Sequence, residues 1–215
     1  MKVGTVIVSI THLPLRQYLI SCLVMCCTFL FAGCGKETRV TRVDTEVVTD
    51  FSGRWNDTDS KQVAEAMIKE MISQPWLGNF TRDSGKPPVV IVGTILNRSH
   101  EHINVNTFVS DLERELTNSQ KVTFVANRAD RKEIRDERQD QAVHALEETQ
   151  KGPGREIGAD FMMKGSISTI QDESDGVRSV LYQVDLDLIN LENNVKSWYG
   201  QKKIKKVIER KRYLF

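Results

Sequence analysis

The stretch VRSVLYQVDLDLINL, residues 177–191, alternates apolar and polar side chains over almost its whole length. Successive side chains of a β-strand point to opposite faces, so this period predicts a strand with one apolar and one polar face. FMMKGSISTI before it and VKSWYGQKKIKKVI after it share the alternation, and the turn signals DESDG and ENN separate the three stretches. The end of the chain therefore predicts an antiparallel meander.

Upstream of the meander, the pattern changes to strands that alternate with helices. VVIVGTIL, residues 89–96, is continuous and β-branched, as expected of a buried strand. Apolar residues at helical spacing precede it in DTDSKQVAEAMIKEMI, with an N-cap at Asp57, Thr58 or Asp59, and Pro75 ends that helix. A second helix follows a cap at Asn106 or Thr107. This order predicts an α/β (α+β) fold with a mixed five- or six-stranded sheet flanked by helices.

Weaker signals predict the remaining elements. Residues 47–53 suggest an extended piece that ends at Gly53, and a loop is expected between Pro75 and the buried strand. KVTFVAN predicts a short strand, and residues 128–150 predict a helix that is largely exposed, because nearly all of its residues are charged or polar. REIGAD suggests one helical turn that ends on Gly158.

All four cysteines, Cys22, Cys26, Cys27 and Cys34, stand near the start of the chain. A disulfide framework or a thiolate metal site is therefore excluded from the globular part. The run YLISCLVMCCTFLF is uncharged, follows Arg16 and precedes small residues, which is the layout of a secretory signal peptide. It is too short for a comfortable membrane span.

Ala32-Gly33-Cys34 resembles the bacterial lipobox, in which the cysteine is acylated and becomes the first residue of the mature lipoprotein. We expect a signal peptide at 1–33, the lipidated Cys34 with a short tether at 34–45, and a single periplasmic domain at 46–215. The alternative is a signal-like helix whose cysteines serve only as small hydrophobes. By resemblance to lipoproteins of Gram-negative bacteria, Gly35 is compatible with export to the outer membrane.

The composition offers little for catalysis or for nucleic-acid binding. The 30 basic residues nearly balance the 29 acidic ones, and no glycine-rich phosphate loop, nucleophile elbow or HExxH helix is present. His100-Glu101-His102 concentrates possible metal ligands, but a solvated loop is the favoured interpretation. Asp185 and Asp187 share one strand face, as acid/base pairs often do, yet their alternation with apolar residues marks the wet face. We therefore predict no enzyme, no metal and no cofactor.

Four stretches follow one another along the chain: VVIVGTILNRS, FVSDLERELTNSQKVTFV, GREIGADFMMKGSISTI and YQVDLDLINLENNVKSWYGQKKIKK. Their order and spacing resemble the LpoB family, lipoprotein activators of penicillin-binding proteins. The resemblance covers about residues 89–205, and DFSGRWNDTDS upstream also fits the family.

This resemblance implies a fold related to the N-terminal domain of the TolB translocation protein. It also implies a non-catalytic lipoprotein on the periplasmic face of the outer membrane, which touches an accessory domain of a class A penicillin-binding protein. The partner's glycan polymerisation and cross-linking would be stimulated, and peptidoglycan synthesis regulated. Neither nucleic acid nor a small-molecule substrate is implied.

The chain departs from the family in its tether. Well-studied members carry a long, proline-rich tether, whereas about a dozen residues separate Cys34 from the first apolar cluster here. An alternative function is therefore kept: a structural or secretion-associated envelope lipoprotein of the same fold, which self-assembles and activates no synthase.

Two surface hypotheses complete the sequence-based view. Polar and aromatic residues that a domain of this size does not require suggest a partner surface, formed by Asn97, Arg98, His100, His102, Trp198 and Tyr199. Burial of Trp198 in the core is the alternative. A basic stretch near the end of the chain suggests contact with anionic phospholipid or cell-wall polymer through Lys202, Lys203, Lys205 and Lys206. The favoured alternative is an edge strand that lysines protect from aggregation.

Overall fold

The computed structural model describes residues 39–44 and 47–209. The chain divides into two units, residues 1–44 and residues 45–215. In the first unit, residues 39–44 are exposed and belong to no helix or strand. The predicted signal peptide and Cys34 lie outside the described residues, as do residues 35–38 and 45 of the predicted tether. Within the described ranges, no helix is long and apolar enough to cross a membrane.

The second unit is an α+β fold, as predicted. Its helices and strands follow one another as α1 (Asp57–Ser73), α2 (Pro75–Ser84), β1 (Val89–Arg98), α3 (Val105–Ser119), β2 (Thr123–Phe124), α4 (Arg128–His144), β3 (Phe161–Ser174), β4 (Val177–Asn190) and β5 (Lys196–Glu209).

The strands form one mixed, five-stranded sheet in the order β2-β1-β3-β4-β5. β1 runs parallel to both β2 and β3, whereas β3, β4 and β5 form the predicted antiparallel meander. Residues directly opposite one another on neighbouring strands point to the same face of the sheet, so the register shows which side chains share a face. Met163, Leu188 and Trp198 lie in one row on what we call the core face. Lys164 and its neighbours across β4 and β5 lie in the next row, on the open face.

The hydrophobic core lies between the core face and the helices. Met67 of α1 and Leu112 of α3 are almost completely buried, and both belong to the same apolar cluster as the inward residues of β3, β4 and β5. Full burial of one such side chain contributes about 1.5–3 kcal/mol. Aromatic rings join the layers, since the Trp76 ring of α2 lies 5.0 Å from the Phe161 ring of β3. The methionines of α1 are core residues, as the helical spacing predicts.

Helix N-termini lie slightly earlier than the sequence suggests. Asn56 caps α1: its side chain accepts from the Asp59 N–H, and the Asp59 carboxylate accepts from the Asn56 N–H. The predicted caps at Asp57, Thr58 or Asp59 are therefore wrong, because those residues already have helical backbone. Asn104 caps α3 in place of Asn106 or Thr107, since its side-chain oxygen accepts from the Asn106 N–H.

Helix α2 replaces the predicted loop after Pro75. The proline ends α1 and also begins α2, because the first position of a helix requires no N–H from it. Trp76 then enters the core and donates its indole N–H to the Met71 carbonyl at 2.8 Å. A buried aromatic thus stabilises a short helix whose sequence alone predicts little.

Three further expectations are corrected. Residues 47–53 form bends without a strand, and Phe51 is 96 % exposed. Helix α4 is exposed as predicted but ends at His144 instead of residue 150, because Ala145 adopts an extended backbone. No helical turn precedes Gly158, where the backbone is irregular.

Candidate functional site

The middle of the open face is a polar surface built from three antiparallel strands. One row pairs Lys164 with Asp187, and the next row on the same face pairs Ser166 with Asp185. β5 completes these rows with Tyr199 and Gln201. Because side chains alternate along each strand, the burial of their neighbours in the core forces these groups outward. The face is half-buried to exposed throughout.

Asp185 is the centre of a hydrogen-bond network on this face. Its Oδ1 accepts from the Tyr199 hydroxyl at 2.6 Å and from the Gln201 amide at 2.8 Å, while its Oδ2 accepts from the Gln183 amide at 2.8 Å. Burial alone would raise the pKa of Asp185, but these three hydrogen bonds outweigh it and lower that pKa below its ordinary value.

The same network fixes Tyr199. Its hydrogen bond to Asp185 raises the pKa of the Tyr199 hydroxyl, and its side chain remains 54 % exposed. An aromatic ring that is exposed and yet held by its hydroxyl loses little conformational entropy when a partner covers it. Tyr199 is therefore well placed to act as a binding residue.

The 97–102 loop is also well anchored. Asn97 closes β1 with a turn, since its Oδ1 accepts from the Ser99 N–H at 2.9 Å and its amide donates to the Glu101 carbonyl at 2.8 Å. His100 donates its N–H to the Thr169 hydroxyl at 3.1 Å. Glu101 accepts from the Trp55 N–H at 3.3 Å. These contacts fix the loop to β3 and to the segment before α1.

The predicted surface residues lie in three different places. Arg98 is exposed and stands opposite Ser168, on the open face. Tyr199 shares that face, but β3 and β4 separate its strand from β1, which corresponds to roughly 14 Å at the usual strand spacing. His102 instead lines a groove of about 930 Å³ beside α1 and α3, together with Trp55.

Trp198 lies in the core and is 7 % exposed. Its ring covers Gly200, where an added Cβ would overlap the indole. Of the two predictions made for Trp198, burial is the one that the structure supports, because the strict alternation of β5 turns Trp198 inward when Tyr199 faces out. We therefore leave Trp198 out of the predicted partner surface.

Lys206 is likewise not part of an exposed basic stretch. Its side chain is 9 % exposed, and its Nζ lies 2.6 Å from Asp59 Oδ2 and 2.8 Å from Asp50 Oδ1. A third contact joins it to the Arg54 carbonyl at 3.0 Å. Burial would lower the pKa of Lys206, but the hydrogen bonds to both carboxylates outweigh it and raise that pKa. Lys206 thus fastens the segment before α1 to the sheet.

The other three lysines of that stretch are exposed. They lie on β5, which is the last strand of the sheet in the described part of the chain. This position agrees with the prediction of an edge strand whose lysines discourage aggregation.

Sequence reasoning missed the network around Asp185. The wet-face interpretation of Asp185 and Asp187 is confirmed, but the groups that hold Asp185 come from two strands and depend on their register. The signal that was available is the alternation Tyr199, Gln201, Lys203 on β5. Among the described residues, no group of three or more potential ligands is placed to hold a metal ion.

One family model and several solved structures are similar to this chain. The family model described as peptidoglycan-synthase activator LpoB matches residues 59–204. Among solved structures, the LpoB C-terminal domain from Escherichia coli is 17 % identical, with 68 % of this chain and 98 % of that chain covered and a TM-score of 0.38.

Two other solved structures are similar. The NMR structure of E. coli LpoB is 14 % identical and covers 81 % of this chain and 86 % of its own, with a TM-score of 0.39. Lipoprotein GNA1162 from Neisseria meningitidis is 15 % identical and covers 59 % of this chain and 88 % of its own, with a TM-score of 0.36. No curated protein sequence matches the chain.

Proposed function

The chain belongs to the LpoB family of peptidoglycan-synthase activators, and from that premise we propose that it binds and activates a class A penicillin-binding protein. One observation carries the proposal: the family match runs over residues 59–204 of 215. This range begins in α1, ends in β5 and includes the whole core between them. The match is therefore to the complete fold and not to a local motif.

Activation of this kind requires no catalytic residue in the activator. A protein that binds the active conformation of a synthase more tightly than the inactive one shifts the synthase toward activity. A difference in binding free energy of about 1–3 kcal/mol corresponds to a 5- to 150-fold effect. A rigid surface with fixed side chains is sufficient for this role.

The open face and the adjoining 97–102 loop are the surface that we assign to the partner. Arg98 and Tyr199 lie on the open face, Asn97 and His100 stabilise or extend the loop, and His102 marks its far end. Tyrosine and arginine are enriched among residues that dominate binding energies at interfaces. The network around Asp185 supports the assignment, because it fixes Tyr199 before a partner arrives.

We further propose that Cys34 anchors the protein by a lipid on the periplasmic face of the outer membrane. The support is the sequence layout: a signal peptide at 1–33, small residues before Cys34 and a short tether at 34–45. A tether of a dozen residues spans at most about 40 Å. The length of the tether therefore limits how far from the outer membrane the folded domain can meet the partner's accessory domain.

Cross-linking in the envelope tests this proposal. The full chain, expressed in its source organism, is cross-linked in intact envelopes, and the captured proteins are identified by mass spectrometry. Capture of a class A penicillin-binding protein is expected. Capture of the chain by itself or of an export complex, without a synthase, would instead support the self-assembling envelope lipoprotein.

Two variants show whether the assigned surface makes the contact. Tyr199→Ala should reduce capture of the synthase by about tenfold, the effect expected of a residue that dominates an interface. Lys69→Ala, at an exposed position of α1, is the matched control and should leave capture unchanged. Equal capture by both variants would remove the open face from the proposal.

A further inference from the structure

Helix α4 carries arginines that the fold does not require. Arg131, Arg135 and Arg138 are spaced by four and three residues, so their side chains project from one side of the helix. α4 has no buried residue, which means that these arginines do not pack a core. If this side of α4 served only solubility, we would expect acidic and basic residues to be interspersed on it.

Three acidic side chains of α4 have neighbours of their own within the helix. Asp136 pairs with Lys132 at 2.8 Å, and Asp140 lies 3.7 Å from His144. Glu137 accepts from the Gln141 amide at 2.9 Å. The arginines on the other side of the helix are therefore not neutralised by these acids.

One carboxylate from the following loop approaches the arginines. Glu156 accepts two parallel hydrogen bonds from Arg135, at 2.8 and 2.7 Å, and a third from Arg138 at 3.0 Å. This two-pronged geometry is the one in which guanidinium groups recognise carboxylates best. The hydrogen bonds from Arg135, with the nearby charges of Arg138 and Arg131, lower the pKa of Glu156 to about 2.

One nitrogen of Arg131 has no partner in this arrangement. Its Nε is closed to solvent and has no hydrogen-bond partner among the described residues. Three guanidinium groups near one carboxylate leave two positive charges in excess. A salt bridge that only held the loop against α4 would require one arginine for Glu156.

An open pocket of about 530 Å³ lies beside this cluster. Gln139, Ala142, Pro153 and Gly154 line it together with Arg135, Arg138 and Glu156. Pockets for small ligands commonly have volumes of about 300–1,000 Å³. A ligand in this pocket would meet guanidinium groups at one wall, an amide from Gln139, and apolar contacts from the remaining residues.

We propose that this pocket binds a small ligand that carries several carboxylate groups. Glu156 occupies one carboxylate position in the free protein, and the ligand displaces it and engages Arg135 and Arg138 with its own carboxylates. None of the residues that line the pocket belongs to the sheet. The site goes beyond the proposed synthase activation and does not depend on it.

Isothermal titration of the full chain with citrate tests the proposal, with acetate at equal ionic strength as the single-carboxylate probe. Citrate should bind at least about tenfold more tightly than acetate, because it engages more than one guanidinium group. Glu156→Gln removes the internal carboxylate and keeps the shape, so it should tighten citrate binding by about fivefold, a size typical of an exposed ion pair.

Two arginine variants and a control complete the test. Arg135→Gln should weaken citrate binding by about tenfold, because it removes the guanidinium group that donates two parallel hydrogen bonds to a carboxylate in this pocket. Arg138→Gln should weaken it similarly. Lys132→Gln removes one charge from the other side of α4 and should change the affinity little. Circular dichroism confirms that each variant is folded.

The proposal is overturned if citrate binds no more tightly than acetate. It is also overturned if Arg135→Gln and Lys132→Gln have equal effects, because the cluster would then act only through general charge. Unchanged or weaker citrate binding by Glu156→Gln would show that Glu156 does not compete with the ligand.

Discussion

Trp198 and Tyr199 are neighbours on β5, yet they serve opposite surfaces of one sheet. Trp198 is 7 % exposed and packs into the core, whereas Tyr199 is 54 % exposed and donates its hydroxyl to Asp185. The core face is largely apolar and is covered by helices. The open face carries polar side chains that hydrogen bonds connect within and between strands. One strand can thus supply the stability of the fold and the fixed polar surface that we assign to a partner.

Lys205 and Lys206 repeat the contrast with the same residue type. Lys205 is exposed on the open face, while Lys206 is buried between Asp50 and Asp59. The environment, and not the residue type, decides whether a lysine contributes to solubility or to the fold. Substitutions at such neighbouring pairs therefore separate the two roles.

The largest effect is expected at Trp198. Trp198→Ala should lower the free energy of unfolding by about 3–5 kcal/mol, since it removes a large buried side chain and leaves a cavity. Tyr199→Ala should lower it by less than about 1 kcal/mol and should impair partner binding instead. Urea unfolding of the full chain measures both values. Similar losses at the two positions would contradict the division into two faces.

Lys206→Met should be the next most costly change, at about 2–3 kcal/mol. The substitution leaves Asp59 buried without its cation, and a buried charge that has lost its partner is strongly destabilising. Asp50 is partly exposed, which reduces the loss. Lys205→Met, one residue earlier, should cost less than about 0.5 kcal/mol by the same measurement. A cost as small at position 206 would mean that the contacts of Lys206 contribute nothing to stability.

Gly200→Ala should destabilise the protein by about 1–3 kcal/mol. An alanine Cβ would overlap the Trp198 ring, so the ring or the strand must shift. Gly78→Ala is the matched control, because Gly78 lies within α2 and nothing stands within 4 Å of an added Cβ. That change should stabilise the protein by about 0.5–1 kcal/mol through its higher helix propensity. Thermal unfolding distinguishes the two directions, and destabilisation by both changes would argue against the close contact at Gly200.

The smallest effect should follow Asp185→Asn on the open face. Asp185 has a lowered pKa in the folded protein, so its carboxylate contributes stability above its ordinary pKa of 3.8 and loses it as the pH falls through the lowered value. At neutral pH the variant should lose less than about 1 kcal/mol. Once the pH falls below the lowered pKa of Asp185, the two proteins should converge. Unfolding curves measured across this range check the sign, and a difference that grows toward low pH would contradict it.

The fold was largely predictable because strand alternation and helical spacing are strong local signals. Residues 177–191 alternate so regularly that the strand, its faces and the burial of its inward residues follow directly. Helix α2 was not predictable in this way, because it depends on Trp76 reaching a core that distant strands complete. The caps at Asn56 and Asn104 differ from the predicted ones by a few residues only.

The candidate site was predictable only in part. The turn at Asn97 follows from its residue type, but the network around Asp185 requires the register of β4 against β5. The burial of Lys206 depends on ion pairs with Asp50 and Asp59, which are distant in the sequence. Contacts of this kind join residues that are distant in the sequence, so local sequence patterns do not predict them.

The rate of glycan-strand synthesis by a class A penicillin-binding protein of the same organism tests the central claim most directly. The synthase is assayed alone, with the full chain, and with the Tyr199→Ala and Lys69→Ala variants. The account predicts faster synthesis with the full chain and with Lys69→Ala, and a loss of that acceleration with Tyr199→Ala. An unchanged rate at saturating concentrations of the full chain would contradict activation of this synthase.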